Sequence, residues 1–332
     1  MRIGNNPMKE TSLIKVSYVH RIIIPVYIPD AHGYFAHSFQ ILQLCISSLL
    51  QTIHASTAVT IINNGCSLEV SAYLQQLLLE KRIDQVVQNT YNKGKVDPLI
   101  SAMKGSLETL ITIADADVLF KYGWQQQVEN IFFGIPNVGM VSPLPQPSQL
   151  RYYCNWTWYF GLTRNCFTLK NNEDLDAVKK FNQSISKFND FSSIEKKPLG
   201  INFNGIEALV GSGHFCATYH CSIIKKIPKI SSGNSFKDAE IKYFDKPVED
   251  AGLLRLATTK GWVYHMGNVT ENWMHDILKE NEKDASNNFC QNKEYNFISK
   301  GFLFKFNIIN VLIMKIIRSS KVKRLVFYIA KK

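Results

Sequence analysis

The sequence predicts an α/β fold in which parallel strands form a sheet that is flanked by helices. Over residues 20–120, short apolar runs rich in β-branched residues alternate with longer segments whose apolar residues recur at helical spacing. Such an alternation is typical of a doubly wound sheet. The chain has 332 residues, of which 45% are hydrophobic and 20% charged, and this is enough for one large core.

The elements of this alternation follow one another in order along the chain. Strands are predicted at 20–28, 57–67, 83–90 and 109–120, and helices at 39–52, 67–82 and 97–108. Pro25 has no backbone N–H and should end the regular pairing of the first strand. Ile41, Cys45 and Leu49 are spaced to share one face of the first helix. Ligands of such sheets bind beyond the carboxyl ends of the strands.

The second half of the chain is less regular. Its predicted features are an aromatic-rich segment at 151–165, a lysine-rich excursion or helix at 171–200, a strand, Gly-rich turn and further element at 205–227, and a helix followed by a strand at 248–268. The predicted helix begins with Glu249 and Asp250, and the last strand ends at His265.

Asp115 and Asp117 stand one residue apart at the end of the fourth predicted strand, where carboxylates need a partner. In an extended or turning segment, alternate side chains can point into the same space. Carboxylate oxygens are the preferred ligands of Mg²⁺ and Mn²⁺. A divalent cation at this strand end is one explanation, and helix-capping or turn carboxylates are the alternative.

Two later features could complete a metal-dependent active site. Glu249 and Asp250 form a second acidic pair, and His265 ends the strand that follows. Acids also favour the first turn of a helix for electrostatic reasons alone, and a lone histidine is more often structural. The simultaneous presence of both acidic pairs favours a ligand role for His265.

Taken together, these segments resemble the GT-A glycosyltransferases, most closely the family 2 enzymes that use nucleotide sugars. The matching segments cover roughly residues 18–268 in the family's order: IIIPVYI, LQLCISSLLQT, VTIINNGCS, NTYNKGK, TIADADVLF and VEDAGLLRLATTKGW. The resemblance implies a Rossmann-like mixed sheet flanked by helices in a domain of residues 18–270. Its nucleotide-binding half would be 18–120 and its acceptor-binding half 121–270, with a C-terminal helical tail at 271–332.

The resemblance also implies roles for individual residues. The nucleotide sugar would be bound by Pro25, Tyr27, Asn63, Asn64, Lys95 and Asp115. Asp117 would be the direct ligand of Mn²⁺ or Mg²⁺, with Asp115 and His265 as further metal ligands. The catalytic pair would be Glu249 and Asp250, with Asp250 as the general base. Trp156 and His214 are the acceptor candidates, and the glycines of 210–220 are expected to let a sugar approach closely.

The implied activity is transfer of a sugar from a nucleoside diphosphate donor, UDP in our prediction, to a hydroxyl of a saccharide or lipid-linked acceptor. Inversion is expected, and retention of the anomeric configuration is the alternative. A further alternative is a non-catalytic protein of the same fold that binds a sugar or a nucleotide. A nucleotidyltransferase is disfavoured, because no Gly-rich basic loop follows the first strand. Asn63 stands where the family usually has Asp, which leaves the nucleotide identity open.

Charge and cysteine usage predict the location of the protein. Residues 300–332 carry nine of the eleven net positive charges and no acid, and this argues against a body of the chain that binds nucleic acid. Seven cysteines without paired spacing and a first segment without the apolar core of a signal peptide favour the cytoplasm.

The apolar segment 302–317 is too short to span a bilayer and contains two lysines. We expect it either to lie on an anionic membrane surface, at the inner face of the cytoplasmic membrane, or to pack on the domain as a helix.

Overall fold

The computed structural model describes residues 18–188, 190–229 and 239–287, with the single positions 4, 231, 233 and 319. The strands are β1 (His20–Val26), β2 (Thr57–Asn64), β3 (Gln85–Asn89), β4 (Leu110–Ala114), β5 (Val118–Phe120), β6 (Val138–Ser142), β7 (Phe167–Leu169), β8 (Leu199–Phe203), β9 (Ile206–Val210), β10 (Cys216–His220), β11 (Leu254–Ala257) and β12 (Val263–His265). The helices are α1 (Ser38–Thr52), α2 (Leu68–Leu79), α3 (Val96–Lys104), α4 (Trp124–Gly134), α5 (Asn155–Thr163), α6 (Leu175–Ser184), α7 (Ser193–Lys196), α8 (Lys246–Asp250) and α9 (Asn272–Asn287).

A ten-stranded mixed sheet, flanked by helices, confirms the predicted fold class. Its strand order is β3-β2-β1-β4-β10-β6-β11-β9-β8-β7. The first four of these strands pair in parallel, as the alternation of strands and helices predicts. Strand β10 lies antiparallel between β4 and β6. Strands β5 and β12 form a separate antiparallel pair.

The inner strands of the parallel half, β1, β2 and β4, are buried on both faces, which explains why they are largely apolar runs, whereas β3 at the sheet edge is partly exposed. Every residue of β2 and of β4 is buried. Alternate residues of β1 enter different cores: Ile22 packs with α1, α2 and α4, whereas Ile23 packs with α3 and with the segment 239–248. Because β1, β2 and β4 are parallel, their carboxyl ends meet at one edge of the sheet.

The segment around Glu249 and Asp250 differs from the prediction. These acids end a helix rather than begin one: a π-helical turn (Ile241–Asp245) continues into α8, and the chain then forms β11. Gly252, at a φ of +77°, lies between α8 and β11 and adopts a backbone conformation that favours glycine. Every residue of β11 is buried, as an interior strand requires. The predicted helix after Asp250 is therefore wrong, and the predicted strand ending at His265 is observed as β12.

The beginning of the predicted tail packs on the domain. Met274 of α9 is fully buried. Asn281 accepts a hydrogen bond from the backbone N–H of Tyr122 at 2.8 Å and donates one to the carbonyl of Phe120 at 2.8 Å. The segment 302–317 lies outside the described residues. Within the part of the chain that the structure describes, no helix has the length and apolarity to cross a membrane.

A buried polar cluster lies at the amino end of β1, remote from the predicted site. His20 Nδ1 and His54 Nε2 lie 2.9 and 3.0 Å from Glu129 Oε1. Burial alone would raise the pKa of Glu129, but its hydrogen bonds with the two histidines lower this pKa to about 2. The free glutamate value is 4.5, so the stabilisation is complete above about pH 5 and is lost as the pH falls toward 2.

We expect Glu129→Gln to lower the free energy of unfolding by about 3 kcal/mol at pH 7 and by clearly less at pH 3, because at pH 3 the carboxylate of the unfolded wild-type chain is almost fully protonated. Urea unfolding at both pH values measures the difference. Glu69→Gln, at an exposed position in α2, serves as the control. An equal loss at pH 7 and pH 3 would contradict the expectation.

Candidate active site

The turn between β4 and β5 presents Asp115 and Asp117, and neighbouring strands fix its backbone. The backbone N–H of Asp115 donates to the carbonyl of Phe215 at 2.8 Å. The carbonyl of Asp117 accepts from the N–H of Met266 at 2.8 Å. Strand β12 runs antiparallel to β5, and His265 is paired in register with Val118. The predicted metal ligands, distant in sequence, therefore meet at one turn.

The side chains of Asp115, Asp117 and His265 form a cluster that fits a divalent cation. Each offers one ligand atom, and these atoms lie within 4.8 Å of one another. His265 Nε2 lies 3.4 Å from Asp117 Oδ2. Among the described residues, the buried Asp117 Oδ1 and His265 Nδ1 have no hydrogen-bond partner. Buried polar atoms are costly when unpaired, and a metal ion at the cluster would relieve that cost.

The raised pKa of Asp117 also supports a bound cation. Burial of Asp117 raises the pKa; His265 counters this shift, Asp115 adds to it, and the result is a pKa of about 6. The positive charges near it, on His265 and Lys95, therefore do not fully offset the burial of this carboxylate. A bound divalent cation would supply the remaining positive charge.

Two aromatic side chains hold the imidazole of His265. The rings of Phe181 and Phe215 stack on each other with centroids 5.0 Å apart. His265 packs edge-on against both, at centroid distances of 5.9 and 5.5 Å. This packing fixes the ring plane beside Asp117, which is what a metal-binding histidine requires.

A row of alternating charges leads away from the cluster. We call it the charge row; in order, its members are Asp115, Lys95, Glu240, His214, Asp245 and Arg255. Lys95 Nζ pairs with Asp115 and lies 2.5 Å from Glu240 Oε1. His214 lies 3.3 Å from Glu240 and 3.4 Å from Asp245, and Arg255 lies 3.2 Å from Asp245.

The charge row stabilises the ionised form of its members. Burial alone would lower the pKa of His214, but the nearby carboxylates of Asp245 and Glu240 raise it to about 10. Burial alone would raise the pKa of Glu240, but His214 and Lys95 lower it to about 2. Burial also opposes the charge of Lys95, and the carboxylates of Asp115 and Glu240 raise its pKa despite this. At pH 7 these three groups are therefore charged, and each has a partner of opposite charge.

A cavity of about 390 Å³ opens beside Asp115 and Asp117. The ends of β1 and β2 and the loop after β3 line it, as expected for the carboxyl edge of a parallel sheet. Of the predicted nucleotide-binding residues, those that line this cavity are Pro25, Tyr27, Asn64, Lys95 and Asp115. Tyr27 is 41% exposed and packs against Phe35, which also lines the cavity.

Asn63 and Asn64 have different roles in the structure. Asn63 is fully buried, donates to Ser71 Oγ at 2.8 Å and accepts from the N–H of Cys66 at 2.9 Å, so its side chain shapes the turn. Asn64 donates to the carbonyl of Gly94 at 2.9 Å and thereby holds the loop that carries Lys95. Gly65 is required at this junction: a Cβ there would lie 2.9 Å from the carbonyl carbon of Tyr91, and the φ is +84°.

The structure does not bring Glu249, Asp250 or Trp156 to this cavity. The carboxylate of Glu249 accepts from the backbone N–H of Asn155 at 3.1 Å and from its side chain at 2.8 Å. Asp250 is 43% exposed and pairs with Lys246. Trp156 is buried and donates from Nε1 to the carbonyl of Glu249 at 3.0 Å.

Sequence reasoning missed Glu240, Asp245 and Arg255. Glu240 and Asp245 precede the acidic pair that was singled out, and no short motif marks them. An arginine within the run LLRLA was a signal, because a charged residue in a buried strand needs partners.

No protein-family model matches the sequence, and no curated protein matches it significantly. Among solved structures, the chain is similar to the mannosyltransferase PcManGT from Pyrobaculum calidifontis in complex with GDP-Man and Mn²⁺, with 12% identity, a TM-score of 0.40 and coverage of 81% of this chain and 64% of that one. It is also similar to residues 1–349 of S. aureus TarS, with 13% identity, a TM-score of 0.43 and coverage of 92% and 82%. For the same region of TarS in complex with UDP-GlcNAc, the identity is 12% and the TM-score 0.41, with coverage of 89% of this chain and 78% of that one. The chain thus spans less than two thirds of the mannosyltransferase.

Proposed function

We propose that the protein is a metal-dependent glycosyltransferase that moves a sugar from a nucleoside diphosphate donor, with UDP as our first choice, to a saccharide or lipid-linked acceptor hydroxyl. The observation that carries the proposal is the meeting of Asp115, Asp117 and His265 at the edge of a 390 Å³ cavity. The cluster contains polar atoms that have no hydrogen-bond partner within the described part of the chain, and a metal ion could satisfy them. The cavity lies at the carboxyl edge of the sheet, where the diphosphate of a nucleotide would bind beside that ion.

In this proposal Asp117 and His265 hold Mn²⁺ or Mg²⁺, with Asp115 beside them. The cation, when bound, would neutralise charge on the leaving diphosphate. Lys95 contributes a further positive charge at the cavity wall, and its pairing with Asp115 fixes the position of its ammonium group. Tyr27 and Phe35 offer an aromatic wall for the nucleobase.

The test is calorimetric titration of UDP into the protein with and without Mn²⁺, followed by GDP, CMP and dTDP. We expect UDP to bind only in the presence of Mn²⁺, because both the diphosphate and the metal cluster need the ion to offset their negative charge. Absence of binding for all four nucleotides with both Mn²⁺ and Mg²⁺ would refute the proposal.

We retain Asp250 as the proposed general base of an inverting reaction. Its carboxylate is at the surface, so an acceptor approaching from solvent can reach it. We expect Asp250→Asn to lower the transfer rate by about 100-fold or more while nucleotide binding stays unchanged. Asp276→Asn, at an exposed position of α9, is the matched control.

Glu240→Gln should be measured in parallel, because Glu240 pairs with Lys95, which in turn pairs with Asp115 of the metal cluster. If Asp250→Asn transfers at the wild-type rate and Glu240→Gln does not, the base assignment to Asp250 is wrong. Analysis of the product anomer distinguishes inversion from retention.

The proposal includes attachment of the basic C-terminal segment to an anionic membrane surface, on the strength of its charge and apolar residues. Co-sedimentation with phosphatidylserine vesicles at low and high salt tests it. Binding that is absent at both salt concentrations would contradict it.

A further inference from the structure

A second cavity of about 210 Å³ is lined by His214, a member of the charge row. Asp115 and Lys95 line the first cavity, whereas His214 lines the second, and Glu240 bridges Lys95 and His214. The polar and aromatic lining of the second cavity includes Gln146, Gln149, Phe181, Asn182, His214 and Phe215, and the oppositely charged Lys187 and Glu195 also line it.

The lining combines amide groups with aromatic rings. The side chains of Gln146, Gln149 and Asn182 can each donate and accept hydrogen bonds, as the hydroxyl groups of a sugar require. Phe181 and Phe215 supply apolar ring surface for the C–H groups of a pyranose. The volume is below the roughly 300–1,000 Å³ of sites for drug-sized ligands and suits a small ring.

The same aromatic pair connects the second cavity with the proposed reaction centre. Phe181 and Phe215 line the cavity, and both contact the imidazole of His265. A ring bound in the cavity is therefore separated from a proposed metal ligand by a single side chain.

Two glycines shape the wall of the second cavity in a way that the sequence did not reveal. A Cβ on Gly213 would lie 1.5 Å from Gln146 Oε1, and a Cβ on Gly211 would lie 2.6 Å from the backbone nitrogen of Leu150. The glycines of the segment 210–220 thus admit the segment 146–150 of the protein. They place the amides of Gln146 and Gln149 at the cavity instead of contacting a sugar themselves.

We propose that the second cavity binds a monosaccharide unit of the acceptor, held by the amides of Gln146, Gln149 and Asn182 and by the ring surface of Phe181 and Phe215. This inference rests on the proposed function for its biological meaning. The site has its own ligand chemistry, however, and can be tested without a donor.

The probes are methyl β-D-glucopyranoside, methyl α-D-mannopyranoside and methyl N-acetyl-β-D-glucosaminide, observed by saturation-transfer difference NMR on the full chain. We expect at least one of them to bind to wild type. Gln149→Trp should fill the cavity and weaken this binding by at least about tenfold. Gln75→Trp, at an exposed position on α2, should bind the glycoside as wild type does.

Calorimetry with UDP and Mn²⁺ on the same proteins separates the two proposals. Gln149→Trp should bind UDP as wild type does, because Gln149 does not line the first cavity. If no glycoside binds to wild type, or if Gln149→Trp binds it equally well, the saccharide site is refuted whatever UDP does. If UDP does not bind, but the glycoside binds to wild type and binds more weakly to Gln149→Trp, the donor assignment is refuted and the saccharide site is supported.

Discussion

Replacing Asp117 by asparagine should weaken the Mn²⁺-dependent binding of UDP by about 100-fold or more. Outer partners of metal ligands already cost about 10–100-fold when they are lost, so a direct ligand should cost at least the upper value. Asparagine keeps the size of the side chain but removes its negative charge, which is the property that attracts the cation. The measurement is calorimetric titration of UDP at saturating Mn²⁺.

Folding of the Asp117→Asn protein should be preserved, because the substitution removes a carboxylate that burial disfavours. A thermal melt without metal checks this, and we expect a Tm equal to or above that of wild type. Asp276→Asn is again the control for loss of one acidic charge. Wild-type affinity for UDP in Asp117→Asn at saturating Mn²⁺ would show that the cluster is not the metal site.

Arg255→Met should lower the free energy of unfolding by about 3–5 kcal/mol. Arg255 is fully buried in β11 and pairs with Asp245, which is also buried. It donates to the carbonyls of Tyr152 and Ser212, both at 2.7 Å. Methionine fills similar space but leaves these two carbonyls without their donor and Asp245 without its partner in β11. Urea denaturation at pH 7 measures the loss.

Three further variants determine the origin of that loss. Arg255→Lys keeps the charge but not the planar fork, and it should give an intermediate value. Arg255→Met combined with Asp245→Leu should be less destabilised than the sum of the single changes, since it removes both buried charges. Arg82→Met, at a half-exposed ion pair, should stay within about 0.5 kcal/mol of wild type. A loss as small as this in Arg255→Met would contradict the structural role assigned to the buried pair.

The parallel half of the fold could be predicted from the sequence because its signals are local. Strands β1, β2 and β4 are buried on both faces and are therefore largely apolar runs, and the helices of this half show apolar residues at helical spacing. The chain around Asp250 could not be predicted in this way. Its leucines fit either a helix or a buried strand. The segment forms a strand because it pairs with β6 on one side and with β9 on the other.

The candidate site likewise has features that the sequence predicted and features that only the tertiary structure shows. The sequence by itself determined that Asp115 and Asp117 end a buried strand, because carboxylates after an apolar run must face a ligand or solvent. Only the tertiary structure decided that His265 stands beside Asp117, that Asn63 supports a turn, and that Asp250 lies at the surface.

The charge row needed the tertiary structure most of all. Lys95 and Glu240 are 145 residues apart in the sequence, and their contact depends on how α3 and the segment before α8 cover the same face of the sheet. Hydrophobic periodicity reports which side of an element is buried, but it carries no information about which distant element covers that side. Which buried charges pair depends on which elements pack against each other, so the pairing is determined only when the sheet and its helices have assembled.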